Sequence, residues 1–432
     1  MSGGDEHGCS AYPKSIQAGI PKINNPAGWP TPKIGALLKV VQRPVRLEKT
    51  KEYRLVTARR SRGGIVRRET LLGKDIATPS QFEIAEGDFL ISRRQIAHGA
   101  CGIVPAELTG SVVSNEYATL RPTAALDPGF LKHLTSSIYF QQTCFHSSIG
   151  VHVEKLVFDL QGWLRWPIAV PEPPEQRRIA AVLDAWDDAI ISCEKLIAAK
   201  ERRRSLAIDE LLGLDRTTGA ENPDWDDIKL SEIFELRIGG TPSRRRPDYW
   251  DSDLETENHW VSIADLRERE IYSTKERLTP KGIASSNVKL IPKNTLLMSF
   301  KLTLGRVSIN QVPVFTNEAI VALIPKRRCS LTYFETLLGR LDFSAQAEQA
   351  IKGLTLNKAK LSELIVTVPP YEVQLELGAQ LDVLRSDLEY ERQHLTLLRK
   401  QKRGLMQKLL TGQRRVPESI DTLLPAANEV AA

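Results

Sequence analysis

PPEQRRIAAVLDAWDDAI, Pro173 to Ile190, returns in altered form as PPYEVQLELGAQLDVLRSDL, Pro369 to Leu388. Laid over one another without gaps, the two put Gln176 over Gln374, Ile179 over Leu377, Leu183 over Leu381 and Asp184 over Asp382. Downstream, KERRRSLAIDELLG (Lys200 to Gly213) matches RKQKRGLMQKLLTG (Arg399 to Gly412) after a shift of one residue. Upstream, GWPTPKIGALLKV at Gly28 has a counterpart in PDWDDIKLSEIFEL at Pro223, with Trp29 over Trp225. A repeat of 20 to 50 residues would mean a solenoid. Copies this long mean duplicated domains.

The apolar positions inside the echo read as helix. Ile179, Leu183, Trp186, Ile190, Cys193 and Ile197 step alternately by four and three; Leu377, Leu381, Leu384, Leu388, Glu391, Leu395, Leu398, Lys402, Leu405 and Leu409 keep the same step. That is a heptad seam. The prolines at 173, 174, 369 and 370 stand where a helix can begin, and Gly213 and Gly412 where one can stop. Each helix runs about forty residues, roughly 60 Å. A generic amphipathic helix packs on its own globular domain, but a narrow seam of this length calls for a rod-shaped partner, and the other copy supplies one. A pseudo-twofold internal repeat would set the two helices antiparallel as a coiled coil.

Between the helices lie short apolar runs separated by turn residues, such as FLIS and LLMSFKLTLGRV, so the chain is read as α+β with two mixed, largely β domains. The expected order is an N-terminal arm (1–28), a first domain (29–170), a first spacer helix (171–213), a linker (214–224), a second domain (225–367), a second spacer helix (368–412) and a tail (413–432).

At 432 residues, 41% hydrophobic and 26% charged, the composition is that of a soluble globular chain with more than one core. No apolar run approaches membrane-spanning length and the N-terminus lacks the features of a signal peptide, so a cytoplasmic protein is expected. Its five scattered cysteines suggest neither a disulfide framework nor a zinc module. Net charge is only +6, but the arginines cluster. In the first domain Arg59, Arg60, Arg62, Arg67 and Arg68 flank a hairpin turn at Gly63 and Gly64, with Arg93 and Arg94 as further candidates. In the second, Gly239 and Gly240 are expected to free the backbone ahead of Thr241, Ser243, Arg244, Arg245 and Arg246, with Lys301 and Arg306 as further candidates. Guanidinium forks suit phosphate oxygens and the O6/N7 edge of guanine. One such cluster is usually a solvated charge run; one in each copy points to nucleic acid.

A search for chemistry finds little. VPPY at Val368 has the outline of a base-holding motif of amino methyltransferases, but valine cannot accept a hydrogen bond from an exocyclic amine. There is no phosphate-binding GxxxxGK[ST] loop. PDYW at Pro247 lacks the carboxylate and lysine that would make a nuclease set. Cys144, His146 and His152 form one short cluster without a partner half, and no metal is expected there.

These motifs together resemble the specificity subunit of type I restriction-modification systems. PPEQRRIAAVLD and PPYEVQLELGAQLD open the two helices, LMQKLLTGQRRV closes the second, GGTPSRRRPDYW and HWVSIADL stand in the second domain, and IKGLTLNKAKLSELIVTVPP precedes its helix. The resemblance implies two target-recognition domains, each reading one half of a split site in double-stranded DNA, with the helices setting the gap. It implies two modification subunits that grip the helices and carry S-adenosylmethionine, and it leaves open whether restriction or translocase subunits, with ATP and Mg, join them. No cofactor is expected on this chain, and no catalysis. The first copy departs from the pattern, since it lacks the GGTP loop and has Glu172 between its prolines. Two rivals remain: a stand-alone DNA methyltransferase or nuclease that is mostly reader, and a coiled-coil scaffold that binds no DNA.

Overall fold

A computed structural model of the chain describes residues 19–150, 156–214, 224–301, 303–343, 348–350, 353–355 and 357–423. His152, the first 18 residues, residues 215–223 of the expected linker and the tail beyond 423 lie outside the described residues. Two long helices dominate the helical content, Pro173–Leu211 and Tyr371–Leu410. In the first, Pro173 and Pro174 are the opening helical residues, where their missing N–H groups cost nothing; in the second, Pro369 and Pro370 stand just outside. Beyond the two C-termini, Gly213 and Gly412 take left-handed backbone (φ 63° and 73°), a conformation that stops a helix cheaply only at glycine.

The chain divides into two compact units, Met1–Glu194 with His394–Ala432, and Lys195–Gln393. Each unit therefore holds one β-rich body and a part of both long helices.

In the first unit a four-stranded antiparallel sheet has the order Leu38–Val40, Tyr117–Pro122, Phe89–Ser92, Cys101–Ile103. FLIS is one of its two inner strands and all four residues are buried, which explains a run that does not alternate as a surface strand would. A five-stranded sheet runs Pro44–Val45, Gln81–Glu83, Val112–Ser114, Glu52–Ala58, Ile65–Leu72, and its last two strands form the hairpin that carries the arginines. Phe89, Phe130, Phe140 and Trp163 build the core, with Phe140 edge-on to Trp163 at 5.5 Å. Ile179 and Leu183 from the first long helix and Leu409 and Leu410 from the second join the same core. Along this unit the helices run in opposite directions, with ion pairs from Asp187 to Lys402 and from Glu194 to Arg399 (2.6 Å).

The second unit has a five-stranded sheet in the order Phe234–Ile238, Ile320–Pro325, Thr295–Ser299, Val307–Asn310, Glu270–Ile271 and a three-stranded sheet in the order Glu276–Arg277, His259–Val261, Val314–Thr316. Its core gathers Phe234, Phe300, Tyr333 and Phe334, with Ile208 from the first long helix, Leu212 just past its end, and Leu381 from the second. Lys200 reaches Asp387 at 2.9 Å and Glu391 at 2.8 Å, and Arg392 reaches Glu201 at 2.7 Å. Such solvent-screened pairs add little to stability, so they set register more than stability.

The heptad positions form the less exposed stripe of both helices. Ile179, Leu183, Ile197, Leu381 and Leu388 are buried, and Trp186, Ile190, Leu377, Leu384, Leu395, Leu398 and Leu405 are half-buried. The ends of the stripe lie in the cores of the β-rich bodies, so packing on a globular domain, the bland alternative, holds for Ile179, Leu183, Leu381 and Leu409.

One joint occurs in each unit. Gln176, fully buried, accepts from the N–H of Asp127 (2.8 Å) and donates to the carbonyls of Ala125 (2.9 Å) and Pro171 (2.8 Å). Gln374, 5% exposed, accepts from the N–H of Ser330 (3.1 Å) and donates to the carbonyl of Pro369 (2.8 Å). Asp127 and Ser330 are the residues that cap helices Pro128–Leu134 and Leu331–Arg340. A long side chain with one acceptor and two donors is what such a joint needs.

Candidate nucleic-acid interface

The arginine hairpin of the first unit is Glu52–Ala58 paired with Ile65–Leu72. In its turn Ser61 and Arg62 adopt left-handed backbone (φ 55° and 60°), costly for residues with a Cβ. Two backbone bonds hold them there, Ser61 N–H to the His98 carbonyl (2.8 Å) and Arg62 N–H to the Gly99 carbonyl (2.9 Å). Arg60 adds a side-chain bond to Gln95 (3.0 Å). The structure therefore brings the turn at 59–64 against the loop at 93–99, two stretches the sequence keeps apart.

Within that cluster the arginines differ. Arg59 is exposed and no side-chain partner is found for it among the described residues. Arg62 is half-buried, and its charge lies close enough to work against the effect of burial, which pushes the Cys101 thiol up to about 12. Arg94 pairs with Glu116 at 2.8 Å. Arg93 is half-buried, with its Nε lacking a partner. Arg67 bonds Thr70 (2.7 Å) and Arg68 pairs with Glu69 on the hairpin surface.

In the second unit the loop after strand Phe234–Ile238 is built around two tryptophans. Trp250 and Trp260 meet edge to face at 5.0 Å, and the Arg244 guanidinium lies 3.7 Å over the first ring and 4.9 Å from the second. Glu276 receives both ends of the same guanidinium, one at 3.0 Å. Trp260 Nε1 donates to the carbonyl of Gly240 at 3.0 Å, and Trp250 Nε1 to that of Ser243 at 3.3 Å. Sequence reasoning did not link Trp250, Trp260 and Glu276 to the arginines; the tryptophans stand in motifs it quoted, but nothing in their spacing shows that they meet.

Gly239 and Gly240 need correcting in their physical role. Neither has a positive φ. A Cβ on Gly239 would sit 2.0 Å from the Thr316 carbonyl oxygen, and one on Gly240 2.4 Å from Asn287 Oδ1. They are glycines because other chain segments pass too close for a side chain, not because the backbone turns unusually. Thr241 closes the loop through its hydroxyl, which donates to Glu318.

Of the three arginines that follow, two are engaged within the protein. Arg244 is stacked and paired as above, while Arg246 forms two 3.0 Å bonds to Asp248, which also binds Lys281 at 2.6 Å. The Arg246 hydrogen bond, then that of Lys281, holds the Asp248 carboxyl well below the usual carboxylate range. Arg245, between them, is exposed and has no partner among the described residues. Ser243 is exposed beside it. Of the remaining candidates, Lys301 lies 5.2 Å from the Phe300 ring and Arg306 is exposed.

Of the residues considered for a metal, Cys144 and His146 do not stand free. Cys144 is buried, which pushes its thiol well up, and His146 bonds the Gly19 carbonyl at 2.7 Å. Another group, His133, Asp184 and Asp187, is close enough to hold an ion, but Lys132 and Lys402 already bind its carboxylates.

Residues 222–398 match the family described as type I restriction modification DNA specificity domain. Among curated relatives, the MjaIX specificity subunit of Methanocaldococcus jannaschii is 27% identical over 183 residues, which cover 41% of each chain. The EcoR124I/EcoR124II specificity subunit of Escherichia coli is 24% identical over 228 residues, covering 50% of this chain and 54% of that one. The alignments thus span about half the length of these relatives. Among solved structures, the HsdS subunit of Thermoanaerobacter tengcongensis is similar over 90% of this chain and 98% of its own, with a TM-score of 0.55 at 17% identity. A chain from work on complex assembly and conformational transition of the type I R-M system is similar over 91% of this chain and 100% of its own, with a TM-score of 0.66 at 18% identity. At such identities the likeness is one of fold.

Proposed function

We propose that this chain, whose residues 222–398 match the type I restriction modification DNA specificity domain, is a type I specificity subunit that reads a bipartite site in double-stranded DNA. Each β-rich body recognises one half-site, and the long helices, paired as an antiparallel coiled coil, fix the gap. The observation that carries this reading is the joint built twice. Gln176 and Gln374 tie equivalent points of two bodies to the starts of two helices. A second doubled contact supports it: Gly213 lies against Trp225, and Gly412 against Trp29. The chain says the same thing twice because two DNA segments must be read at a fixed distance. Major-groove half-sites recur about every 34 Å, and a rod of roughly 60 Å can hold two readers at such a spacing.

The arginine loops then contact DNA, with Arg245 and Arg59 free to reach phosphate or base edges and Arg244 bracing the loop it belongs to. Two modification subunits dock on the helices, bring S-adenosylmethionine and perform the methyl transfer in the cytoplasm, while this chain does no chemistry. Among the described residues no helix is long and apolar enough to cross a membrane.

Selection of bound duplexes from a random pool by the chain with its modification partners tests the reading. Two conserved blocks at one invariant spacing are expected. A single continuous block would remove the second reader, and selection of no sequence would favour the scaffold. Methyl transfer by the purified chain alone would instead revive the stand-alone enzyme.

A further inference from the structure

Away from the arginine loops, the second unit contains a cavity of about 310 Å³ with an unusual lining. Arg204 and Ser205 reach it from the first long helix, Gly339 and Arg340 from helix Leu331–Arg340, and Arg385 and Arg392 from the second long helix. Three of its four guanidinium groups have acidic partners: Arg340 with Asp209 (2.5 Å), Arg385 with Glu335 (2.8 Å) and Arg392 with Glu201 (2.7 Å). Arg204 has none among the described residues. Its Nε is buried without a hydrogen bond, as is Nη1 of Arg385. Burial, then the neighbouring Arg385 and Arg392, push Arg204 below its ordinary value, with Glu335 opposing and Arg340 adding to the effect.

A half-buried guanidinium facing three others is costly unless something pairs with it, because desolvation and like-charge repulsion act together. The acids at hand are already taken. An anion entering the cavity would meet the Arg204 side chain, which has no acidic partner among the described residues, and donors arriving from three separate helices. Guanidinium groups approaching from different directions suit the several oxygens of a tetrahedral phosphate, and arginine binds phosphate in bidentate fashion.

We propose that this cavity is a phosphate-binding site with Arg204 as its central ligand, distinct from the arginine loops of the two bodies. The phosphate belongs either to a small phosphorylated molecule or to a DNA backbone. The inference does not depend on the bipartite reading, because inorganic phosphate and pyrophosphate can probe it without DNA.

The test uses the full-length chain and titration calorimetry with inorganic phosphate and with pyrophosphate. Saturable binding is expected in the wild type, weakened at least tenfold by Arg204→Met. Arg204 leaves no acidic partner behind, so this variant should fold. Gly339→Leu is the second variant, since a Cβ at Gly339 meets only the Gly305 carbonyl oxygen, at 4.0 Å. It keeps every arginine and fills the space, and it too should weaken binding at least tenfold. DNA affinity and its salt dependence, measured on the same variants, identify the source. Unchanged values mean a small-molecule phosphate. Weaker binding with a salt slope flatter by about 0.9 means a backbone phosphate. The proposal is overturned if the wild type binds neither probe and both variants match its DNA affinity and slope, or if both variants bind the probes as tightly as the wild type.

Discussion

Replacing Gln176 by leucine removes three hydrogen bonds from a fully buried site at little change in volume. It leaves the Asp127 N–H and the carbonyls of Ala125 and Pro171 without their partner. A buried donor or acceptor stripped of its bond costs about 1–3 kcal/mol. Carbonyls with a second lone pair relax more easily than an N–H, so the total should be about 3–5 kcal/mol. That is a large share of the roughly 5–15 kcal/mol that holds a domain together. Gln374→Leu breaks two bonds, to Ser330 and Pro369, and should cost less, about 2–3 kcal/mol. Urea unfolding followed by hydrogen exchange on peptides from each unit separates the two effects. Gln176→Leu should lower protection in Met1–Glu194, and Gln374→Leu in Lys195–Gln393. A loss below about 0.5 kcal/mol in both variants would refute the idea that these glutamines join body to helix, since it would put them within the range of ordinary surface substitutions.

Other consequences follow from single contacts. Arg245→Ala should weaken DNA binding about tenfold and flatten its salt slope by about 0.9 at an unchanged melting temperature, whereas Arg244→Ala should also lower the melting temperature, because the stacked cation is worth about 0.5–2 kcal/mol; fluorescence anisotropy and thermal melting read the two. Gly239→Ala should destabilise the second unit in a thermal melt, because its Cβ meets a backbone oxygen, while Gly240→Ala meets the end of the Asn287 side chain and should be relieved by Asn287→Ala. Asp184 gives a pH test: burial pushes its carboxyl up, but bonds from His133 and Lys132 outweigh that and bring it to about 2, below the ordinary 3.8. A depressed folded value stabilises above the unfolded one, so Asp184→Asn should cost stability above pH 3.8, by less than about 1 kcal/mol for so exposed a pair. The difference should vanish as pH falls through about 2 in parallel acid titrations followed by circular dichroism.

The long helices were legible because a heptad step is a local pattern and their stops are glycines. Mixed sheets and helices were legible from runs such as FLIS. The strand order was not: the first unit's five-stranded sheet places Gln81–Glu83 between Pro44–Val45 and Val112–Ser114, and no local pattern records such crossovers. The candidate site was legible only as a list of arginines. Which are free depends on partners distant in the chain: Glu276 for Arg244, Glu116 for Arg94, Gln95 for Arg60. Gly239 shows the limit most clearly, since the sequence suggests backbone freedom and the structure shows close approach by Thr316. Nothing in the local pattern marks Arg204, and only the folded chain shows that it has no partner among the described residues.

The central claim is that one chain reads two DNA segments at a fixed separation. Adenine methylation mapped across a genome, in cells expressing the modification subunit with and without this chain, tests it most directly. Methylated adenines in a two-part motif with one invariant gap, present only with the chain, are predicted. A continuous motif, or a two-part motif that persists without the chain, would contradict it.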